Sequence, residues 1–286
     1  MRRWRWMIGC LVAVVLIHNG VALGQEKDPS DLPWKKAYLE LGYYFADLDS
    51  SFRIGSGALG LGIDIDVEDF LGLNTTDSAF RVDGGWRFTD NKRHKLEFNW
   101  FRFHRDASET LSQSVDIPDG EGGITTLGPG RLESKFDFDI IKLKYEYSLY
   151  LDDRLDINVG GGLYVMPIEF GTTGTVNGVG QTTLEEDITA PLPVFGMGFD
   201  FAITPEWFIR QQFDVFYLEL GDFEGSILAA SLGLEYLPWK HVGFGIAGEF
   251  LDISIEARGS DWPGIDFEGR VDFGYFGARI YVKTFF

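Results

Sequence analysis

Cysteine is nearly missing from this 286-residue chain, which has only Cys10. That residue lies in the apolar core of an amino-terminal leader. Arg2, Arg3 and Arg5 precede an apolar run over 7–17, and Ala22-Leu23-Gly24 forms a small-x-small cleavage site before Gln25. The pattern predicts a secretory signal over 1–24. Cys10 sits inside the apolar run rather than after a small-residue box, so a lipid-anchored amino terminus is not expected. What remains has no cysteine, which excludes disulfides, thiolate metal sites and a cysteine nucleophile. Cations are also scarce, with 25 Lys and Arg against 44 Asp and Glu. Loss of the leader's three arginines leaves 22 cations against 44 acids, a net charge of −22. Such a chain repels phosphate backbones, so nucleic acid is not an expected partner. No stretch after the leader approaches eighteen consecutive apolar residues, which excludes a spanning helix. Histidine is rare too, leaving His94, His104 and His241.

Aromatics are plentiful, at 15% of residues, and glycine occurs 36 times. They are arranged with a period of two. The closing stretch VDFGYFGARIYVKTFF shows this most plainly. Phe286, Thr284, Val282, Ile280, Ala278 and Phe276 form a mostly apolar face, and Lys283, Tyr281, Arg279 and Gly277 form the opposite one. That is a strand with one face for hydrocarbon and one for a polar interior. The same alternation predicts strands over about 37–48, 78–88, 94–105, 136–149, 155–168, 192–203, 207–220, 226–237 and 242–250. In the third of these the pattern predicts a shift of phase, because Phe101 and Phe103 are apolar as well as Leu96, Phe98 and Trp100. A bulge or an aromatic rim would account for it.

Ten strands result, and their connections alternate in length. TDNKR, LDDR, TPEW and LPWKH are short, and most others are long. An even number of alternating strands, with short turns on one side, predicts an all-β, antiparallel transmembrane β-barrel of about ten strands, with eight or twelve as alternatives. A soluble barrel would put its charges outside instead. The organisation expected is a signal over 1–24, a periplasmic lead-in over 25–36 and the barrel over 37–286. Trp34, Trp86, Trp207, Trp239, Tyr147 and Tyr150 fall near the short-turn end, as an interfacial girdle would. Expected partners are outer-membrane lipid, lipopolysaccharide and the barrel-assembly machinery, which would read the terminal aromatic Phe286 as an assembly signal.

The inward face then carries Arg81, Asp83, Arg87, Lys142, Lys144, Glu146, Arg210, Asp214, Glu235, Glu249 and Arg279. Six cations against five acids can pair into a ladder across a narrow lumen. In-strand glycines predict room for large partners such as Tyr164 or Arg210. In the first long loop, Asp64, Asp66, Glu68 and Asp69 are weak candidates for a divalent cation, without the spacing or glycine of an EF-hand loop. His104, beside Asp106 and Ser108, is the one histidine expected near the outer rim. His104 and Arg105 alternate, so they cannot act together, and no catalytic residue, cofactor or firm metal site is assigned.

Three segments resemble a family of uncharacterised bacterial outer-membrane β-barrel proteins. They are FRIGSGALGLGIDIDVEDFLGLN, FRVDGGWRFTDNKRHKLEFNWFRFHRD and LESKFDFDIIKLKYEYSL. The resemblance covers under half of the chain after the leader. It implies an outer-membrane barrel and supplies no activity. The expectation is a non-enzymatic outer-membrane barrel with a structural or surface-interaction role and a largely plugged lumen. A small-solute or ion pore is the main alternative, and a rim hydrolase a lesser one.

Overall fold

A computed structural model of the chain describes residues 32–54, 63–66, 74–111, 115–118, 124–127, 130–175, 181–221, 223–259 and 267–286. The predicted leader and most of the lead-in lie outside them. The strands in chain order are β1 (Ala37–Ile54), β2 (Ile63–Asp66), β3 (Thr76–Arg87), β4 (His94–Leu111), β5 (Val115–Pro118), β6 (Ile124–Leu127) and β7 (Gly130–Leu151). They continue with β8 (Leu155–Thr175), β9 (Gln181–Ala202), β10 (Trp207–Leu220), β11 (Phe223–Trp239), β12 (Val242–Gly259) and β13 (Phe267–Phe285).

Ten of these form an antiparallel meander that closes on itself. The order runs β1, β3, β4, then β7 through β13, and β13 returns to pair with β1 from Tyr38↔Phe285 to Ile54↔Gly269. Closure leaves no open edge, as a wall in hydrocarbon requires. β2 extends the sheet beside the far end of β1, and β5 and β6 form a separate hairpin. The expected ten-stranded transmembrane barrel is the fold. Four short turns lie at one end, and Lys92 adopts the left-handed conformation (φ 56°) in the first of them. On the opposite side, β10 reverses into β11 through Gly221 at φ 60°, a conformation glycine adopts without Cβ strain.

The two faces of the wall exchange polarity along the strands. Near the short turns β4 shows Leu96, Phe98 and Trp100 outward and buries Lys95, Glu97 and Asn99. Farther along it shows Arg102, His104 and Asp106 outward and buries Phe101 and Phe103. β1 does the same. Leu39, Leu41, Tyr43 and Phe45 face out, followed by Asp47 and Asp49, while buried Glu40 gives way to Tyr44, Ala46 and Leu48. β12 passes outward from Phe244 and Ile246 to Asp252 and Glu256, and inward from Glu249 to Leu251, Ile253 and Ile255. The outward apolar band suits lipid. Beyond it the wall stands in water, which favours polar groups outside and apolar groups inside.

This corrects the expected phase shift in the third predicted strand. β4 and β7 keep one unbroken register from His94↔Tyr147 to Leu111↔Gly130, with no bulge. Phe101 and Phe103 are inward residues of the water-facing section, not a slip. Several strands also run farther from the short turns than expected, as β8 reaching Thr175 and β9 starting at Gln181 show.

Candidate functional site

The lumen is filled in three layers. At the short-turn end Leu32 and Trp34 pack with Ala202, Phe208, Leu237 and Phe285. The Trp34 indole N–H donates to the carbonyl of Asp152 (2.6 Å), and its ring meets Phe208 edge-on. Trp34 is therefore a lumen plug residue, only 3% exposed, and not part of the outer aromatic girdle. Trp86, Trp207, Trp239 and Tyr150 do face outward.

The middle layer is charged. Alternation along each strand brings all eleven sequence-derived residues inward, and ten are buried; Arg210 is partly exposed. Arg81 reaches Asp83 through Nε and Nη2 at 2.9–3.0 Å and Glu249 through Nη1 at 2.6 Å. Arg279 joins Glu40 (2.7 Å), Asp83 (2.6 Å) and Glu249 (3.1 Å), and Asn99 donates to Asp83. Glu235 accepts from Arg210 Nε (2.9 Å) and Lys283 (3.0 Å), and Arg210 also holds Asp200 (2.7 Å). Across the lumen Asp214 takes Lys142 (3.1 Å), Lys144 (3.0 Å) and the Tyr164 hydroxyl (3.1 Å). Lys144 and Lys95 both reach Glu146 at 2.5 Å, and Arg87 reaches Asp156 at 2.5 Å.

Six further members escaped the sequence-derived set, namely Glu40, Lys95, Glu97, Asp156, Asp200 and Lys283. Four of them lie on faces whose alternation already marked them inward. Lys95 and Glu97 were obscured by the apparent phase shift in β4. With them the described layer holds eight cations against nine acids, close to neutral in a chain of net −19. Pairing is what makes this layer tenable, because an isolated buried charge costs several kcal/mol. Glycines supply the room. A Cβ on Gly196 would lie 2.3 Å from Asp214, one on Gly198 would meet Asn158, and one on Gly245 would strike the Tyr281 ring at 2.1 Å. The side chains that these three glycines accommodate are Asp214, Asn158 and Tyr281.

The third layer lies toward the long loops and is mostly apolar, with Arg105 buried against the Phe136 ring and Ser50. Tyr44, Phe101, Phe103, Phe136, Phe138, Met166, Phe273 and Tyr275 are buried together. Phe138 and Phe273 stand 4.1 Å apart between ring centroids, and Tyr275 meets Tyr44 edge-on at 5.3 Å. Branched residues of β11, β12 and β13, including Ile227, Ile253, Ile255 and Val271, complete it.

The backbones of Asp64 and Asp66 pair with Arg53 and Ser51, while Glu68 and Asp69 lie outside the described residues. No group of three or more potential metal ligands occurs among the described residues. His104 is outward. It contacts Asp137 through Nδ1 and Asp106 through Nε2 (3.1 Å), while Ser108 accepts from Arg131 (2.9 Å). Phe286 is exposed on the outer seam, with its N–H donating to the Ala37 carbonyl at 2.9 Å.

Among solved structures the chain is similar to the outer membrane protease OmpT from Escherichia coli, with a TM-score of 0.55 and 9% identity over 87% of this chain and 96% of that one. Neisserial surface protein A matches with a TM-score of 0.35 at 11% identity, covering 88% of this chain and 97% of that one. Ail of Yersinia pestis matches at 0.33 and 8%, covering 86% and 99%. No family model and no curated protein matches the chain. The first of these likenesses shows the fold, a membrane β-barrel.

Proposed function

We propose that this protein is an outer-membrane barrel without a through-pore, whose work is done by the wall and loops that stand above the membrane. The observation that carries this is the apolar third layer. Rings from β1, β4, β7 and β13 meet across the lumen. Arg105, buried beside them, stacks on the Phe136 ring and donates to Ser50 and to the Asn74 carbonyl. Ions crossing that layer would lose their hydration without compensation. Beneath it, the charged layer as a whole is close to neutral and its members are held in ion pairs, unlike the single-sign selectivity rings of conducting pores. The inverted wall adds support. A barrel built only to span would need no length beyond its lipid band, and this one continues as a water-facing cylinder with an interior like that of a soluble protein.

The leader, the apolar outer band and the membrane-barrel fold together favour the outer membrane as the address, with the short turns toward the periplasm. Planar-bilayer recording of the refolded wild type tests the reading. Silence over prolonged recording is expected. Steady, reproducible unitary currents would contradict it and support the small-solute pore.

A further inference from the structure

The charged layer is not solid. It surrounds a chamber of about 110 Å³ that begins at Lys35 and Lys36 at the short-turn end and passes Arg87, Lys95 and Arg210. The third layer closes it toward the long loops.

The chamber wall differs in charge from the layer as a whole. Of the thirteen charged residues lining it, nine are Lys or Arg; the four acids are Glu40, Asp83, Glu97 and Asp200. Glu146, Asp156, Asp214, Glu235 and Glu249 belong to the same layer but do not line the chamber. Lys142 is bound to Asp214 and Arg87 to Asp156, both acids outside the lining, and Lys283 is shared between Glu235 outside it and Glu40 within it. A lysine ammonium has three donors, and a single ion pair with Asp214 at 3.1 Å leaves Lys142 with capacity for more. Lys35 and Lys36, at the mouth, add two positive charges beyond those of the ten strands. A pocket lined mostly by cations, in a chain with nearly twice as many acids as bases, is not a product of composition.

We propose that this chamber is a binding site for a small inorganic oxyanion of the phosphate or sulfate class, entering from the short-turn end past Lys35 and Lys36. Nine Lys and Arg residues line a space of that scale, and a low-dielectric wall strengthens charge-assisted contacts within it. The site does not depend on the sealed-lumen reading, which conductance tests and anion binding does not.

The test is isothermal titration of folded, detergent-solubilised barrel with inorganic phosphate at low ionic strength, with sulfate as competitor. Saturable binding of one phosphate per barrel, displaced by sulfate, is expected. Lys36→Gln and Lys142→Gln should each weaken it by about tenfold, the loss expected for one charged hydrogen bond. Asp214 keeps Lys144 and Tyr164 in the second variant, so the fold should survive, as heat-modifiable gel migration would report. Lys240→Gln, in an exposed turn, should change nothing. Absence of saturable binding by folded wild type would overturn the site. So would equal affinity in wild type, Lys36→Gln and Lys142→Gln. A response to phosphatidylglycerol micelles with none to free phosphate would also overturn it, because the cations would then serve the membrane surface.

Discussion

β7 passes through both halves of the barrel wall, and its two halves are built for opposite solvents. Near the short turns, Leu143 faces out and is 57% exposed, while Lys144 beside it is wholly buried against Glu146 and Asp214. A few residues toward the long loops, Asp137 and Asp139 lie on the outward face, Asp137 covered there by Arg102, His104 and Lys135, and Phe136 and Phe138 are buried on the inward one. The backbone pairing is continuous through the change. A closed sheet fixes only which residues share a face. The medium on each side then decides which face is apolar, and that medium changes where the wall leaves the lipid. One half is held by ion pairs across a polar core and the other by ring packing across an apolar one.

The difference can be broken most forcefully in the charged half. Asp214→Ala leaves Lys142 and Lys144 facing each other with less compensation, and a stranded buried charge of this kind costs about 3–5 kcal/mol. Denaturant unfolding followed by gel migration should show that loss. Asp214→Asn should show less of it, because the amide oxygen still accepts from one side of the site while its NH2, a donor, can no longer serve the other. In the apolar half the comparable loss comes from a cavity, not a charge. Phe138→Ala should cost about 3 kcal/mol, and Phe138→Leu, which keeps most of the volume, much less.

A third change sharpens the contrast on the outer face. Arginine at Leu143 or Phe244, in the outward apolar band, should cost about 2–4 kcal/mol. Arginine at Asp49 or Asp252, on the same face beyond the band, should stay within about 0.5 kcal/mol. The smallest effect concerns pH. Asp252 lies above the band, where partial burial and then the charges of Asp272 and Asp49 raise its pKa above the usual carboxylate value. A raised pKa in the folded state favours folding when the group is protonated. Its contribution is full below the unfolded value and is lost as pH rises through the folded one. Asp252→Asn should flatten that mildly acidic limb of the stability profile and leave stability near pH 7 equal or slightly higher.

Much of this was legible in the residues. Period-two alternation, short turns and an apolar face that could not belong in water were enough for the ten-strand closure and for the inward direction of Arg81, Asp214 and Glu235. The outer reach of the strands was not. The alternation persists past Phe45, Trp100 and Pro167, but its polarity reverses, and a reversed pattern looks like the end of a strand or a shift of phase. Lys95 and Glu97 were hidden for that reason. Trp34 was misplaced by a different one. A tryptophan beside the membrane edge suits the girdle or the lumen mouth equally well, and only the position of the lead-in chain, fixed by the bond to Asp152, decides between them. The cation bias of the chamber was beyond sequence reading, since it depends on which of the inward charges line the empty space.

The reversal along β4 is tested most directly by single-cysteine labelling, since the chain's one cysteine, Cys10, precedes the barrel. Cysteines would replace Leu96, Phe98, Trp100, Arg102, His104 and Asp106 in turn, all on the outward face, in barrels assembled in intact cells. The first three should react with a lipid-soluble maleimide and resist a membrane-impermeant one. The last three should react with the impermeant reagent from outside the cell. Uniform labelling of all six by either reagent, or stronger labelling at Phe101 and Phe103 than at their neighbours, would contradict the account.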